Sequence, residues 1–511
     1  VGGSGPGNYS TIQSAINAAN PGDTVYVYNG IYSEDVVINK DNISLIGKNK
    51  FLTIIEGLFT GVEIPENCDN NFVYNFTIQN TSGSGIELWS SDYNFICNNI
   101  ITNSMNYGIA VDQFSSYNHI ANNTISNTNY GMILNYECHS NTVVDNIFLH
   151  DGLWIGNTYN NTITNNTVNG KPLLYLEGKS NMTIEEPMGQ IILNYCDQIT
   201  IRNQDITNST TGIHIRHATV CRITNNILSM NTKGGLYCSS IHSSIISNNT
   251  IDSDGSIGIH LEGLSWNNII TNNTISNNPY GIDMWASSNN FIYNNDILNN
   301  DLGIKLGAWS CDNNLIYHNN IINNDQQAED TNITNSWDNG YPCGGNYWSD
   351  YTGVDTNGDG IGDTPYTISG GSNQDHYPFI EPNGWEQPPS PPTITGPESG
   401  KIKVETDYNF TTTDPYNDTL YYFIDWGDHS NSSWIGPYGS GEQITKSHIW
   451  LKKGTYTIKA KAKDNNGNES GWGQLSVTMP CSYTIPFLSF WERLFGRFPH
   501  IFPILRHIMG Y

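Results

Sequence analysis

The chain has 511 residues, of which 14% are charged and 37% apolar, against roughly 25% and 45–50% in ordinary soluble domains. Its 71 asparagines and 49 glycines disfavour long helices, while 59 aromatic residues spread along the chain exclude a disordered acidic tail. Forty-eight acids against 21 bases leave a net charge of −27, which excludes a general nucleic-acid binder.

The length exceeds one ordinary core, so several domains or a repeat architecture are expected. The chain begins at Val1 rather than Met, the mark of a processed product, and carries sixteen Asn-x-Ser/Thr sequons. N-linked glycans are expected at acceptors such as Asn42, Asn75, Asn122, Asn160, Asn248, Asn272, Asn409 and Asn468, on an extracellular or cell-surface protein. No run of 18 apolar residues occurs, so no transmembrane span is expected.

Residues 1–23 form an N-terminal segment. Ser10-Thr11-Ile12-Gln13 has a capping-box pattern, and Ile12, Ala15, Ile16 and Ala19 follow at helical spacing until Pro21-Gly22. A short amphipathic helix capping the end of a solenoid is predicted here.

Residues 24–382 are organised by a repeat. A glycine followed by an apolar residue recurs at Gly85, Gly108, Gly131, Gly152, Gly212, Gly235, Gly258, Gly281 and Gly303. The steps are 23, 23, 21, 60, 23, 23, 23 and 22 residues, the long one holding degenerate copies around Leu174 and Ile191. Asparagines run in phase at Asn99, Asn123, Asn146, Asn166, Asn203, Asn226, Asn249, Asn273, Asn295 and Asn320. Alternating runs such as Ile213-His214-Ile215 read as strands, and three short strands with turns fill one rung of a parallel β-helix. The asparagines are predicted to point inward as an amide ladder, and the glycines to turn corners.

The run from Thr11 to Gly57, including GDTVYV and SLIG, resembles the start of the NosD/CASH-type right-handed β-helix proteins. Gly345-Asn346-Tyr347-Trp348-Ser349-Asp350, Asp355–Asp363 and Tyr377-Pro378 are similar to the close of the same family. The resemblance spans residues 8–382 and implies the fold; its members include surface, periplasmic and carbohydrate-linked proteins.

Residues 383–393 read as a stiff proline-rich linker. In 394–479, Phe423-Ile424-Asp425-Trp426-Gly427-Asp428, His448, Gly454-Thr455-Tyr456, Asp464 and Gly467 resemble a PKD domain, a β-sandwich. That resemblance implies that Asp425 and Asp428 form turns. Residues 480–511 mix aromatic residues with Arg493, Arg497 and Arg506, broken by Pro499 and Pro503 into short helical pieces that need a partner. The predicted fold class is therefore all-β: a right-handed parallel β-helix with an N-terminal capping helix, a PKD-like sandwich and a short helical aromatic tail.

The metal candidate is Asp355-Thr-Asn357-Gly-Asp359-Gly-Ile361-Gly-Asp363, where oxygens alternate at the spacing that wraps Ca²⁺. Asp355, Asn357, Asp359 and Asp363 would give side-chain ligands and Ile361 its carbonyl. Tyr366 replaces the usual twelfth-position Glu, so Asp375 or Asp350 would complete the shell. Nine cysteines without a CxxC pair exclude a zinc ribbon; Cys196 with Cys221, and Cys311 with Cys343, are open to disulfide pairing.

Aligning the rungs yields two outward columns. One reads Glu87, Ala110, Ile133, Trp154, Tyr175, Ile192, His214, Tyr237, His260, Asp283, Lys305; the next includes Glu177, Asn194, Arg216, Ser239, Glu262 and Trp285. With rungs about 4.8 Å apart, His214, Arg216, His260, Glu262 and Asp283 are the catalytic candidates. Trp154, Tyr175, Tyr237 and Trp285 are the candidates for stacking on sugar. Glu262 and Asp283 would act as paired carboxylates in a glycoside hydrolase or polysaccharide lyase. His214 and His260 lie two rungs apart, roughly 9–10 Å, which disfavours a shared copper ion.

Two functions follow. The first is a structural subunit of an archaeal cell surface (filament, sheath or stalk) that assembles through 480–511 on other copies of itself or on an anchoring protein. The second is a secreted carbohydrate-binding or carbohydrate-cleaving protein using the face around Glu262 and Asp283.

Overall fold

The computed structural model describes residues 1–3, 8–307, 309–415, 418–465, 467–480 and 497. It divides into two units, Val1–Trp385 and the remainder from Glu386. The tail assigned to 480–511 lies outside the described residues apart from Pro480 and Arg497.

The first unit is a parallel β-helix. A helix, Ile12–Ala18, buries Ile12, Ala15 and Ile16 in the core beneath it. Its cap is Thr11, whose side chain accepts from Ser14 N, and not Ser10. Gln13 reaches Val37 instead, and Glu34 takes the N–H groups of Ile12 and Gln13. Lys40 donates to the carbonyls of Ile16, Asn17 and Ala19, satisfying the other helix end.

The rung period is carried by asparagine pairs. At Asn98-Asn99, Asn122-Asn123, Asn225-Asn226, Asn248-Asn249, Asn272-Asn273 and Asn294-Asn295 the first residue is left-handed, with φ between 55° and 57°. Asn adopts this conformation more readily than other side-chain-bearing residues. The second residue turns inward. Asn249 Oδ1 accepts from both the backbone N and the Nδ2 of Asn226, while Asn249 Nδ2 donates to Ile223 O and to Asn273 Oδ1. Polar groups in the dry interior are thereby paired rung by rung. Two positions differ from the sequence reading: Gln204 occupies the ladder one residue after Asn203, and Asn319 one residue before Asn320.

The recurring glycines do not turn corners. Gly212, Gly235, Gly258 and Gly281 stand in register on successive rungs. A Cβ on Gly258 would lie 2.7 Å from Gly281 O, and one on Gly281 would lie 2.5 Å from Gly303 O. Close approach between rungs is what excludes a side chain there.

The 60-residue step conceals a reversal. Thr167–Val168 pairs antiparallel with Lys171–Glu177 across Asn169-Gly170, both left-handed, as a two-residue hairpin requires. The solenoid consequently has two lobes with separate cores. One runs to Leu173; the other runs from Ile184 to Ile368. In the second lobe Lys171–Glu177, Gln190–Asn194, Thr211–Thr219, Gly234–His242, Ile257–Glu262, Tyr280–Met284, Leu302–Leu306 and Gln326–Asp330 form one parallel sheet.

The second unit contains a three-stranded and a four-stranded antiparallel sheet around Tyr408, Phe410, Tyr422 and Trp450. Asp425 accepts from Gly427 N and Asp428 from Ser430 N, so both form turns. Asp428 also meets His448 at 2.9 Å, beneath the Trp426 ring.

Candidate functional site

The end of the first lobe exposes the edge of Leu153–Ile155, a row of backbone groups that need partners. The outward face of the second lobe's sheet supplies them. Gln190 acts as a substitute strand: its Oε1 accepts from Leu153 N at 2.9 Å and its Nε2 donates to Leu153 O at 2.8 Å. Arg216 Nη1 donates to Ile155 O at 3.3 Å and Asn194 Nδ2 to Thr158 O at 2.9 Å. Side chains of Leu173, Tyr175 and Ile192 pack into the first core, whereas Leu174, Ile191 and Leu193 belong to the second.

This junction gathers the outward columns. Trp154, on the last strand of the first lobe, lies 4.4 Å from His214 and 4.4 Å from Tyr237 between ring centres. Tyr130 extends the row at 5.8 Å, and His260 stacks on Tyr237 at 5.1 Å. The register predicted from Tyr175 to Lys305 is the observed one. The step from Trp154 to Tyr175 is not a rung, because the chain reverses between them.

The candidates separate by accessibility. His214 is fully buried, both ring nitrogens lacking a partner, and burial with the neighbouring Arg216 charge pushes its pKa down to about 3. Neutral and sealed, it has no access to a substrate. Tyr175 donates to Glu177 at 2.9 Å and is half-buried, packed against the first core. Arg216 is half-buried at the capped edge.

His260, Glu262, Asp283, Tyr237 and Trp285 form one linked group. His260 Nδ1 lies 3.1 Å from Asp283 Oδ2, and its Nε2 lies 3.4 Å from Glu262 Oε2. Tyr237 donates its hydroxyl to Glu262 Oε1, and Trp285 Nε1 donates to Asp283 Oδ1 at 2.9 Å. Burial opposes charge on His260, yet the adjacent carboxyl groups of Asp283 and Glu262 outweigh it and raise the pKa to about 9. Burial likewise works against the Glu262 charge, but the bonds from His260 and Tyr237 prevail and lower its pKa to about 2. At neutral pH His260 is therefore held as an imidazolium beside an ionised Glu262. Glu262 is half-exposed and the Trp285 ring 45% exposed, whereas Asp283 is buried.

In the loop 355–363 the carboxylates turn onto their own backbone. Asp355 accepts from Gly358 N and Gly360 N, Asp359 from Ile361 N, and Asp363 from Thr356 N; Asn357 Nδ2 donates to Asp359. Asp375 is sealed away in the lobe's end, accepting from Asn346 N, Trp348 Nε1 and Tyr377 N, so it does not complete this loop. Asp350 instead meets Tyr366 and Gln327. Among the described residues, one group of three carboxylates converges, Asp414, Asp418 and Asp464 in the second unit, which the sequence reading missed.

Cys196, Cys221, Cys311 and Cys343 are free thiols, so neither proposed disulfide forms. Of the sequon acceptors, Asn42, Asn122, Asn160, Asn248 and Asn272 are exposed. The other three are half-buried: Asn75 Nδ2 donates to Gly47 O, Asn468 Nδ2 donates to Asp464, and Asn409 accepts from Thr445.

The family profile described as periplasmic copper-binding protein (NosD) matches residues 7–182 and 168–353. A search of curated proteins finds no match. Among solved structures, the PKD domain of a peptidase from a Thermoplasmatales archaeon is 53% identical over 18% of this chain and 97% of its own, with a TM-score of 0.18. An alginate lyase from Paenibacillus is 14% identical over 51% of this chain and 91% of its own (TM-score 0.29). The Dettilon tailspike protein is 13% identical over 92% and 87% respectively (TM-score 0.28). The two profile matches meet where the chain reverses, one to each lobe, and by them the chain belongs to the NosD family.

Proposed function

We propose that the chain is an exported polysaccharide-binding protein whose site is the groove where the two lobes of the solenoid meet. The observation that carries this reading is the aromatic row Tyr130, Trp154 and Tyr237, running from one lobe to the other beside the exposed Trp285 and the half-exposed Glu262, which the buried His260 holds in place. Sugar rings offer apolar C–H faces to aromatic rings and hydroxyls to such polar groups. The family's description as periplasmic supports export.

Binding is favoured over cleavage. Paired-carboxylate hydrolysis needs one carboxyl protonated, whereas Glu262 is held ionised and Asp283 is engaged by His260 and Trp285. A polysaccharide array tests the reading: Trp285→Ala should weaken binding by about tenfold or more, the scale of a central aromatic contact. Unchanged binding would remove the site from the groove. Cleavage that disappears in Glu262→Gln would make the protein a lyase or hydrolase instead.

Copper, which the family's description names, finds a poor donor set here. His214 stands alone in an aromatic enclosure, and His260 is occupied by carboxylates. His318 Nε2 and Cys343 Sγ approach to 3.6 Å, but among the described residues no third His, Cys, Asp or Glu joins them. The surface-filament reading rests on the segment 481–511, nearly all of it outside the described residues. Deleting that segment and following polymerisation tests it independently.

A further inference from the structure

Resting on the polysaccharide reading, we propose that the groove selects an acidic polymer, one bearing a carboxylate on its sugar rings, over a neutral one. Both carboxylates of the group are already engaged, since Glu262 and Asp283 face His260 at 3.4 and 3.1 Å. The lysines of the groove are not engaged in this way. Lys233 Nζ sits 4.5 Å from the centre of the Tyr130 ring, and Lys305 Nζ sits 5.0 Å from that of Tyr280 and 5.8 Å from that of Trp285. Among the described residues neither ammonium lies within ion-pair distance of a carboxylate, although Glu329 occupies the rung after Lys305.

The geometry also sets the ligand's length. Lys233 stands at the Tyr130 end of the aromatic row, while Lys305 stands three rungs beyond Tyr237, about 14 Å along the sheet. A monosaccharide cannot touch both, whereas a polymer lying across the rungs can. Past Asp283 lies a cavity of about 290 Å³ lined by Tyr280, Asp301, Lys305, Gln326 and Glu329, which has room for a further sugar ring beside the Lys305 ammonium. An ammonium held over an aromatic face keeps N–H groups to donate to a ligand carboxylate, and charge-assisted bonds of this kind are the stronger ones.

The test uses the full chain and four probes: polygalacturonate, polymannuronate, and the methyl ester of each, titrated calorimetrically at low salt. The acidic polymers should bind at least tenfold more tightly than their esters, with affinity falling as salt rises. The double variant Lys233→Gln/Lys305→Gln should lose at least tenfold for the acidic polymers and nothing for the esters, its circular dichroism unchanged. Equal binding of acid and ester removes this inference and leaves the polysaccharide reading standing. Undiminished acidic binding by the double variant places the contact elsewhere and overturns the inference. Binding of none of the four removes both readings.

Discussion

Asp254 stands where the repeat calls for asparagine. Its Oδ1 accepts from the backbone N and Nδ2 of Asn231, and its backbone N donates to Asn278 Oδ1, but its Oδ2 has no partner. At the equivalent place on other rungs an Nδ2 donates onward, as Asn278 does to Asn300. A carboxyl can imitate that donor only when protonated, and burial raises the Asp254 pKa from 3.8 to about 7. The folded state therefore binds a proton more tightly than the unfolded one. The Asp254 contribution to stability is fully present below about pH 4, declines between roughly pH 4 and 7, and is level above, with a limiting slope of about 1.4 kcal/mol per pH unit for one proton. Asp254→Asn should raise stability at pH 8 by up to a few kcal/mol and flatten that decline. Asp151 and Asp375, each raised to about 7 by burial, leave a residual slope. Chemical denaturation at pH 5 and pH 8 measures it, and an identical pH dependence in the variant would refute the assignment.

At the scale of the element, rung spacing controls what the glycines tolerate. Gly258→Ala would bring a Cβ within 2.7 Å of both Gly281 O and Ile275 Cγ2. The strands must then part, at a cost of about 1–3 kcal/mol, read as a lowered Tm; an unaltered Tm would show that the rungs are looser than described. The loop 355–363 is the element proposed for Ca²⁺. Titration after chelation should show one-site uptake that Asp359→Asn weakens at least tenfold, whereas no uptake by the native chain removes the ion. Much of this level was legible beforehand, because the repeat of glycine and asparagine encodes register directly: the columns through His214, Tyr237, His260 and Asp283 follow from counting. The reversal at Asn169-Gly170 was missed although Val168-Asn169-Gly170-Lys171 carries the hairpin signal. Reading the 60-residue step as degenerate rungs concealed it. The glycine corners were misassigned because asparagine supplies the left-handed residues, freeing glycine for close packing.

At the scale of the whole molecule, the proposed site rests on one lobe's sheet face capping the other's open edge. Sequence alone placed His214 and Arg216 on an outward face, and so they are, but that face is covered by Trp154 and Ile155 from a different part of the chain. No periodicity reports such a contact, which explains why the outward column divided into a buried half and an open half. The same contact aligns Trp154 with Tyr237 and makes a polymer-length site out of isolated aromatic residues. Hydrogen–deuterium exchange of the full chain, with and without a polysaccharide it binds, tests this most directly. The account predicts protection concentrated in Leu153–Ile155, Ile257–Glu262 and Tyr280–Met284. Protection confined to the sandwich, or absent from those three strands, would contradict it.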